Sequence, residues 1–293
     1  HYPKLGHELI PPVFVDKGIM PDRKGGGKTK KCRIFINLSG VYFLRPLHMS
    51  KDYKISIYIP IYNISEIHYN DEKRRTLVTI KRQEIFYECD YPDQLISKIL
   101  ECKKTLFAGI PDPNPIQLIG FPSEIYQADV PPHKDILMIR YIVFCQRYDE
   151  VPDDEIIKIL SRFDTANHEF LEFGPQCKIP CNQKVLLIPI QMAKVQRVYL
   201  NGTSPYAACR FTHMLLKHCP SVNTVVLANY PFLLPSQLRL VKIPSHKLLS
   251  LAFYSCSFTD SQYDALFEQL KTYRGDFERL SFDSLSFTKS SFE

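Results

Sequence analysis

VQRVYL (Val195–Leu200), VNTVVL (Val222–Leu227), LLSLAF (Leu248–Phe253) and FERLSF (Phe277–Phe282) share one spelling, apolar-x-x-apolar-x-apolar. Two earlier stretches, IRYIVF (Ile139–Phe144) and HEFLEF (His168–Phe173), follow it too, and the six starts lie 29, 27, 27, 26 and 29 residues apart. A recurrence at such a period predicts a solenoid, because a unit that small buries its apolar face only against its neighbours. Solenoids present surfaces to partners more often than they catalyse, so the pattern predicts a binding protein rather than an enzyme.

The segments between these strands read as helices. DDEIIKILSRF (Asp153–Phe163) sets Ile156, Ile159, Leu160 and Phe163 on one face. Ser204 precedes Pro205 as an N-cap precedes the first helical residue, and Thr259-x-x-Gln262 has capping-box spacing. Residues 136–293 are therefore expected to form a helix-backed solenoid of 26–29-residue units. Residues 136–194 are either its first repeats or an N-terminal cap.

Side chains between the apolar anchors are expected on the concave face of the solenoid. In the first unit these are Tyr141, Val143 and Cys145; in the later units Arg197, Tyr199, Asn201, Thr224, Ser250, Tyr254, Arg279 and Asp283 form the candidate protein-binding set. Tyr and Arg are the types enriched at interface hot spots.

Upstream, KCRIFINL (Lys31–Leu38), GVYFLRP (Gly40–Pro46), YKISIYI (Tyr53–Ile59), NISEIHY (Asn63–Tyr69), TLVTI (Thr76–Ile80) and EIFYEC (Glu84–Cys89) read as antiparallel strands. An amphipathic helix follows, with Leu95, Ile99, Leu100 and Leu106 near helical spacing. Residues 1–110 thus predict a small barrel closed by a C-terminal helix, and the proline-rich residues 111–135 a linker.

The formal charge of +6 is uneven. Residues 1–110 hold 19 Lys/Arg against 12 Asp/Glu, and the remainder 18 against 19. The basic excess therefore sits in the first domain, and the two halves are expected to meet different partners. Nine cysteines without paired spacing point to reduced thiols and a cytoplasmic setting. No apolar run approaches the ~18–20 residues that span a bilayer. The missing initiator Met, and a pattern still running near the last residue, read as a piece of a longer protein.

The loop RKGGGKTKKCR (Arg23–Arg33) is the sharpest local signal, with six cations, three glycines and no acid. A nucleotide-phosphate loop would need glycine where Asp22 stands and a helix where a strand is expected, so that reading is rejected. Cys177 and Cys181 with His168, and His213 and His218 with Cys219, match no zinc-ligand spacing. No catalytic motif appears, no cofactor or metal is expected, and the aromatics alternate as strand residues rather than as a nucleic-acid platform.

RIFINLSGVYFLRP and NISEIHYNDEKRRTLVTI, followed by FYECDYPDQ and a helix, resemble the hairpins and closing helix of pleckstrin-homology (PH) domains, although the family's closing tryptophan is missing. The resemblance implies anionic-lipid binding by Lys17, Lys31 and Arg33, with Arg23, Lys24, Lys28 and Lys30 in the same loop region. The later half resembles long leucine-rich repeats (LRRs), although the ninth position fits that family's turn only at Thr203 and Cys256. A PH-like barrel, a proline-rich linker and an LRR solenoid in this order resemble the CARMIL family of actin regulators. That resemblance implies a non-enzymatic scaffold, peripheral at the plasma membrane and cytoskeleton, with an actin-regulatory partner and dimerisation through segments outside this chain. The alternatives are the targeting region of a PH–LRR phosphatase, whose repeats are shorter, and a protein-binding LRR receptor or effector without a lipid role.

Overall fold

The computed structural model describes residues 10, 13–21, 29–47, 53–70, 75–80, 83–89, 91–109, 112, 114–120, 136–163, 170–244 and 249–283. The chain divides into two compact units, His1–Ile139 and Arg140–Glu293.

The first unit is an eight-stranded sheet: β1 (Phe14–Pro21), β2 (Thr29–Asn37), β3 (Gly40–Pro46), β4 (Tyr53–Pro60), β5 (Ile64–Asn70), β6 (Arg75–Ile80), β7 (Gln83–Cys89) and β8 (Gln117–Ile119). Their order is β4-β3-β2-β1-β7-β6-β5-β8. All neighbours run antiparallel except β5 and β8, where Ile67 pairs in parallel with Leu118. Helix α1 (Pro92–Phe107) packs on β2 and on the turn Ile61–Asn63, burying Leu95, Ile96, Ile99 and Leu106. On β2 Ile34 and Ile36 are buried, and Phe43 and Val41, their partners on β3, are buried beside them.

The expected closed PH-like barrel is not what forms. The sheet has two ends, β4 and β8. Closure would pair β4 with the free edge of β5, and β8 occupies that edge. β8 comes from the stretch read as a linker. There the prolines Pro111, Pro113 and Pro115 precede the strand and leave its own amides free to pair.

The β2–β3 turn is held by one side chain. Asn37 Oδ1 accepts from Ser39 N (2.9 Å), Ser39 Oγ (2.7 Å) and Gly40 N (3.1 Å), while Nδ2 donates to the Ile10 carbonyl (3.1 Å). Asn37 and Ser39 are both fully buried. Position 40 requires glycine, since a Cβ would collide with the Ile59 carbonyl and the Tyr58 ring.

Helix α2 (Ile136–Tyr148) begins in the last residues of the first unit, and the second unit carries the rest of it with α3 (Asp154–Arg162), α4 (Lys184–Met192), α5 (Pro205–His218) and α6 (Asp260–Thr272). Its five strands, β9 (Phe170–Phe173), β10 (Arg197–Asn201), β11 (Thr224–Ala228), β12 (Leu249–Tyr254) and β13 (Phe277–Asp283), form one parallel sheet in sequence order. Buried Leu171, Val198, Val225 and Leu251 fall on one ladder line, as do Phe173, Leu200, Leu227 and Phe253. Each of the three central strands ends in a left-handed residue, Gly202 (φ 62°), Asn229 (φ 58°) and Ser255 (φ 50°). These turn the chain off the sheet while their amides still bond the next strand, at Ala228, Tyr254 and Asp283.

The expected long-period LRR solenoid is likewise replaced, here by this five-stranded parallel sheet in a mixed α/β unit. IRYIVF lies inside α2, so Tyr141, Val143 and Cys145 are buried helical residues and not surface strand residues. The run Leu137–Cys145 is buried without interruption, as suits a helix enclosed on all sides. Between β11 and β12 the expected helix gives way to one-turn 3-10 segments at Pro235–Gln237 and Leu240–Lys242. Pro231, Pro235 and Pro244 interrupt any longer helix there. Asp153 caps α3 by accepting from the Glu155 and Ile156 amides, and Thr259 with Gln262 makes the capping box of α6. Ser204 stands at the N-cap of α5 without a side-chain bond.

Candidate functional site

Two surfaces hold the residues singled out in the sequence. The first is on strands β1 and β2. Strand alternation puts every second side chain on one face, and Lys17 pairs across the ladder with Arg33 while Ile19 pairs with Lys31. Lys17, Lys31 and Arg33 are all exposed on that shared face. Val15 continues the line and is 55% exposed, and Tyr53 of β4 is 40% exposed. The Arg33 guanidinium lies 4.7 Å from the centre of the Tyr53 ring, a cation–π contact. Three cations thus border exposed apolar groups. Arg23, Lys24 and Lys28 lie outside the described residues, and Lys30 stands opposite Met20 in β2.

The second surface is the face of the parallel sheet that alternates with its buried one. Arg197, Thr224, Ser250 and Arg279 share one register line, and Asn201, Ala228, Tyr254 and Asp283 another. All eight candidate residues are exposed or half-buried. Between these lines run Tyr199, Val226 and Ala252, the last two nearly covered by their neighbours. Phe170 packs edge-on against Tyr199 at 5.5 Å. Asn201 links strands by donating to Glu172 (3.3 Å) and accepting from Asn229 (2.8 Å). Ser250 donates to Glu278 (2.9 Å), and Arg279 donates to Ser281 (2.9 Å). The surface carries small residues beside Tyr and Phe rings, together with both signs of charge.

Thiol chemistry is suppressed in the interior. Burial pushes Cys32 up to about 11 and Cys102, Cys145 and Cys209 up to about 12, so these stay protonated at neutral pH. Among the described cysteines only Cys181 is exposed. No three metal-ligating side chains converge among the described residues. No described helix is long and apolar enough to cross a membrane.

Two residues escaped the sequence reading. Lys103 of α1 is buried, donates to the carbonyls of Ile64 (2.8 Å) and Asn114, and lies 3.5 Å from Asp112. Its place on the buried side of an otherwise amphipathic helix was the available signal. Arg45 of β3 has buried guanidinium nitrogens without a partner among the described residues. Nothing in its local sequence marks it.

Together these features define a two-unit α/β chain with a basic sheet face in one unit and an open parallel-sheet face in the other. No family model matches the chain, and no curated protein matches it. Solved structures with some likeness include the C-terminal domain of an unknown protein from Leishmania infantum, 15% identical, covering 34% of this chain and 89% of that one at a TM-score of 0.28. The hSac2 domain of the human phosphoinositide phosphatase Sac2 is 11% identical, covering 45% of this chain and 89% of that one, also at 0.28. Neither likeness is close enough to carry an argument about this chain.

Proposed function

We propose that this chain is a non-enzymatic adaptor that sits peripherally on anionic membrane surfaces through its first unit and holds a partner protein on the open sheet face of its second. The observation that supports this reading is the exposed group of Lys17, Lys31 and Arg33 beside Val15 and Tyr53. Cations beside shallow apolar groups suit a lipid headgroup layer, where each Lys or Arg contributes about 1 kcal/mol within a Debye length. The Tyr- and Arg-bearing sheet face of the second unit suits a protein surface. The CARMIL resemblance makes an actin-regulatory protein the first partner to try.

Vesicle co-sedimentation tests the membrane half. Replacing Lys17, Lys31 and Arg33 together with Gln removes about 3 kcal/mol, roughly a 150-fold loss of partitioning onto phosphatidylserine-containing vesicles. Wild-type binding is also expected to fall as salt rises. Equal binding to neutral phosphatidylcholine vesicles would sink the reading.

A further inference from the structure

The two ends of the parallel sheet in the second unit are finished differently. β9, at one end, is four residues long, and α3 packs against it. β13, at the other, runs for seven residues without a proline or a lysine. Among the described residues no strand pairs with its outer edge. Such an edge is a row of amides and carbonyls on which another strand can form. The apolar side chains there are uncovered as well. Val198, Val225 and Leu251 are fully buried on their ladder line, yet Leu280, the next on it, is 38% exposed. The Phe282 ring stacks on buried Phe253 at 5.5 Å and is itself only half-buried. Phe267 of α6, with its ring 6.4 Å from that of Phe282, is 44% exposed.

The hydrogen bonding of β13 fixes which groups face outward. The Ser255 amide bonds the Asp283 carbonyl, so Asp283 turns its backbone polar groups toward β12, and by alternation Ser281 and Arg279 do the same. Leu280 and Phe282 therefore turn their amides and carbonyls to the outer edge. A strand added there must pair through these two residues and bring apolar side chains to the same face.

The run Arg279-Leu280-Ser281-Phe282-Asp283 meets both demands against itself. Laid antiparallel on a second copy about Ser281, it sets Leu280 opposite Phe282 and Arg279 opposite Asp283. Opposed residues share a side, so the apolar pairs fall on the inner face and the charged pairs on the open one. Both charged side chains are exposed. Within one chain they stand about 13 Å apart along the strand, too far to meet. Sliding the register so that Leu280 faces its own copy puts Arg279 opposite Ser281 and loses the charge match.

We propose that a second copy of this chain binds along β13, antiparallel and two-fold symmetric about Ser281, joining the two parallel sheets into one. The Leu280 and Phe282 backbones make the bonds, their side chains form the apolar seam, and Arg279 with Asp283 sets the register. One strand edge is small for an interface, so the dimer is a weak one.

Sedimentation velocity of the full chain from about 1 μM to about 1 mM tests this. Wild type is expected to pass from monomer to dimer within that range. Arg279→Asp or Asp283→Arg alone places like charges opposite each other at both ends of the seam and should weaken the dimer at least about tenfold. The two substitutions together exchange the charges and should restore it. The Leu280 and Phe282 amides should exchange with solvent more slowly as concentration rises, while those of Arg279 and Ser281, already turned to β12, should not change. In a Cys181→Ser background, Ser281→Cys should give a disulfide-linked dimer under mild oxidation, because antiparallel partners at a position without mutual hydrogen bonds bring their Cα atoms to about 4.5 Å. A chain that stays monomeric to about 1 mM overturns the interface, as does a dimer that the single charge reversals leave unchanged or the double one fails to restore. Neither vesicles nor a partner protein enter the measurement, so its failure leaves the proposed function standing.

Discussion

Replacing Asn37 with Leu changes little volume and removes four hydrogen bonds from the β2–β3 turn. Ser39 Oγ keeps its 2.6 Å bond with the Tyr42 hydroxyl, so the hydroxyl is not stranded. The Ser39 and Gly40 amides and the Ile10 carbonyl lose the partner that Asn37 supplied, at positions where all four residues are buried. At about 1–3 kcal/mol for each stranded group, the expected loss is about 3–6 kcal/mol after partial relaxation. That is a large share of the about 5–15 kcal/mol that holds a typical domain folded. Urea unfolding of the full chain, followed by far-UV circular dichroism and by proteolytic fragments, measures it. The transition of residues 1–139 should move to lower urea, and that of residues 140–293 should stay, because the substituted turn belongs to the first unit's core alone. A loss below about 1 kcal/mol, or equal movement of both transitions, would show that the Asn37 network is not what holds this turn.

Three further outcomes are expected. Tyr230→Phe removes the buried 2.8 Å bond to Thr203 and should cost about 1 kcal/mol, with Thr203→Val in a double-mutant cycle recovering part of it; strict additivity would count against the bond. His213 is buried, its Nδ1 has no hydrogen-bond partner among the described residues, and burial followed by the neighbouring Lys217 charge lowers its pKa below the ordinary 6.5. The unfolded chain therefore takes up this proton first: the second unit should hold its stability above pH 6.5 and lose it as pH falls through the folded value, while His213→Gln flattens that slope. Maleimide labelling under native conditions should modify Cys181 quickly and Cys32, Cys102, Cys145 and Cys209 only on unfolding, and rapid labelling of any of these four would contradict their burial.

The sequence showed local elements better than their assembly. Period-two alternation located β2 to β7, as in β2, where buried Cys32 and Ile34 alternate with exposed Lys31 and Arg33, and the spacing of Leu95, Ile99 and Leu106 located α1. Alternation says nothing about which edge pairs with which, so β8 and the open order of the sheet were illegible. In the second half the spelling around Val198, Val225, Leu251 and Leu280 marked true strands, since those residues share a ladder line. The same spelling at Ile139–Phe144 misled, because a fully enclosed helix satisfies any apolar template. Exposed cations such as Lys17 and Arg33 were legible from composition and alternation. The burial of the Arg45 nitrogens was not, since it is set by the fold and not by neighbouring residues in the chain.

Asn37-Leu38-Ser39 also spells the acceptor signal for N-linked glycosylation. The nitrogen that would carry the sugar is Nδ2, which donates to the Ile10 carbonyl from a fully buried side chain. A glycan there cannot be accommodated beside Ile10, so the modified chain and the folded first unit are mutually exclusive. Passing this chain through a secretory expression host therefore risks trapping it as misfolded glycoprotein, and a host that leaves asparagine unmodified is the sound choice for producing it.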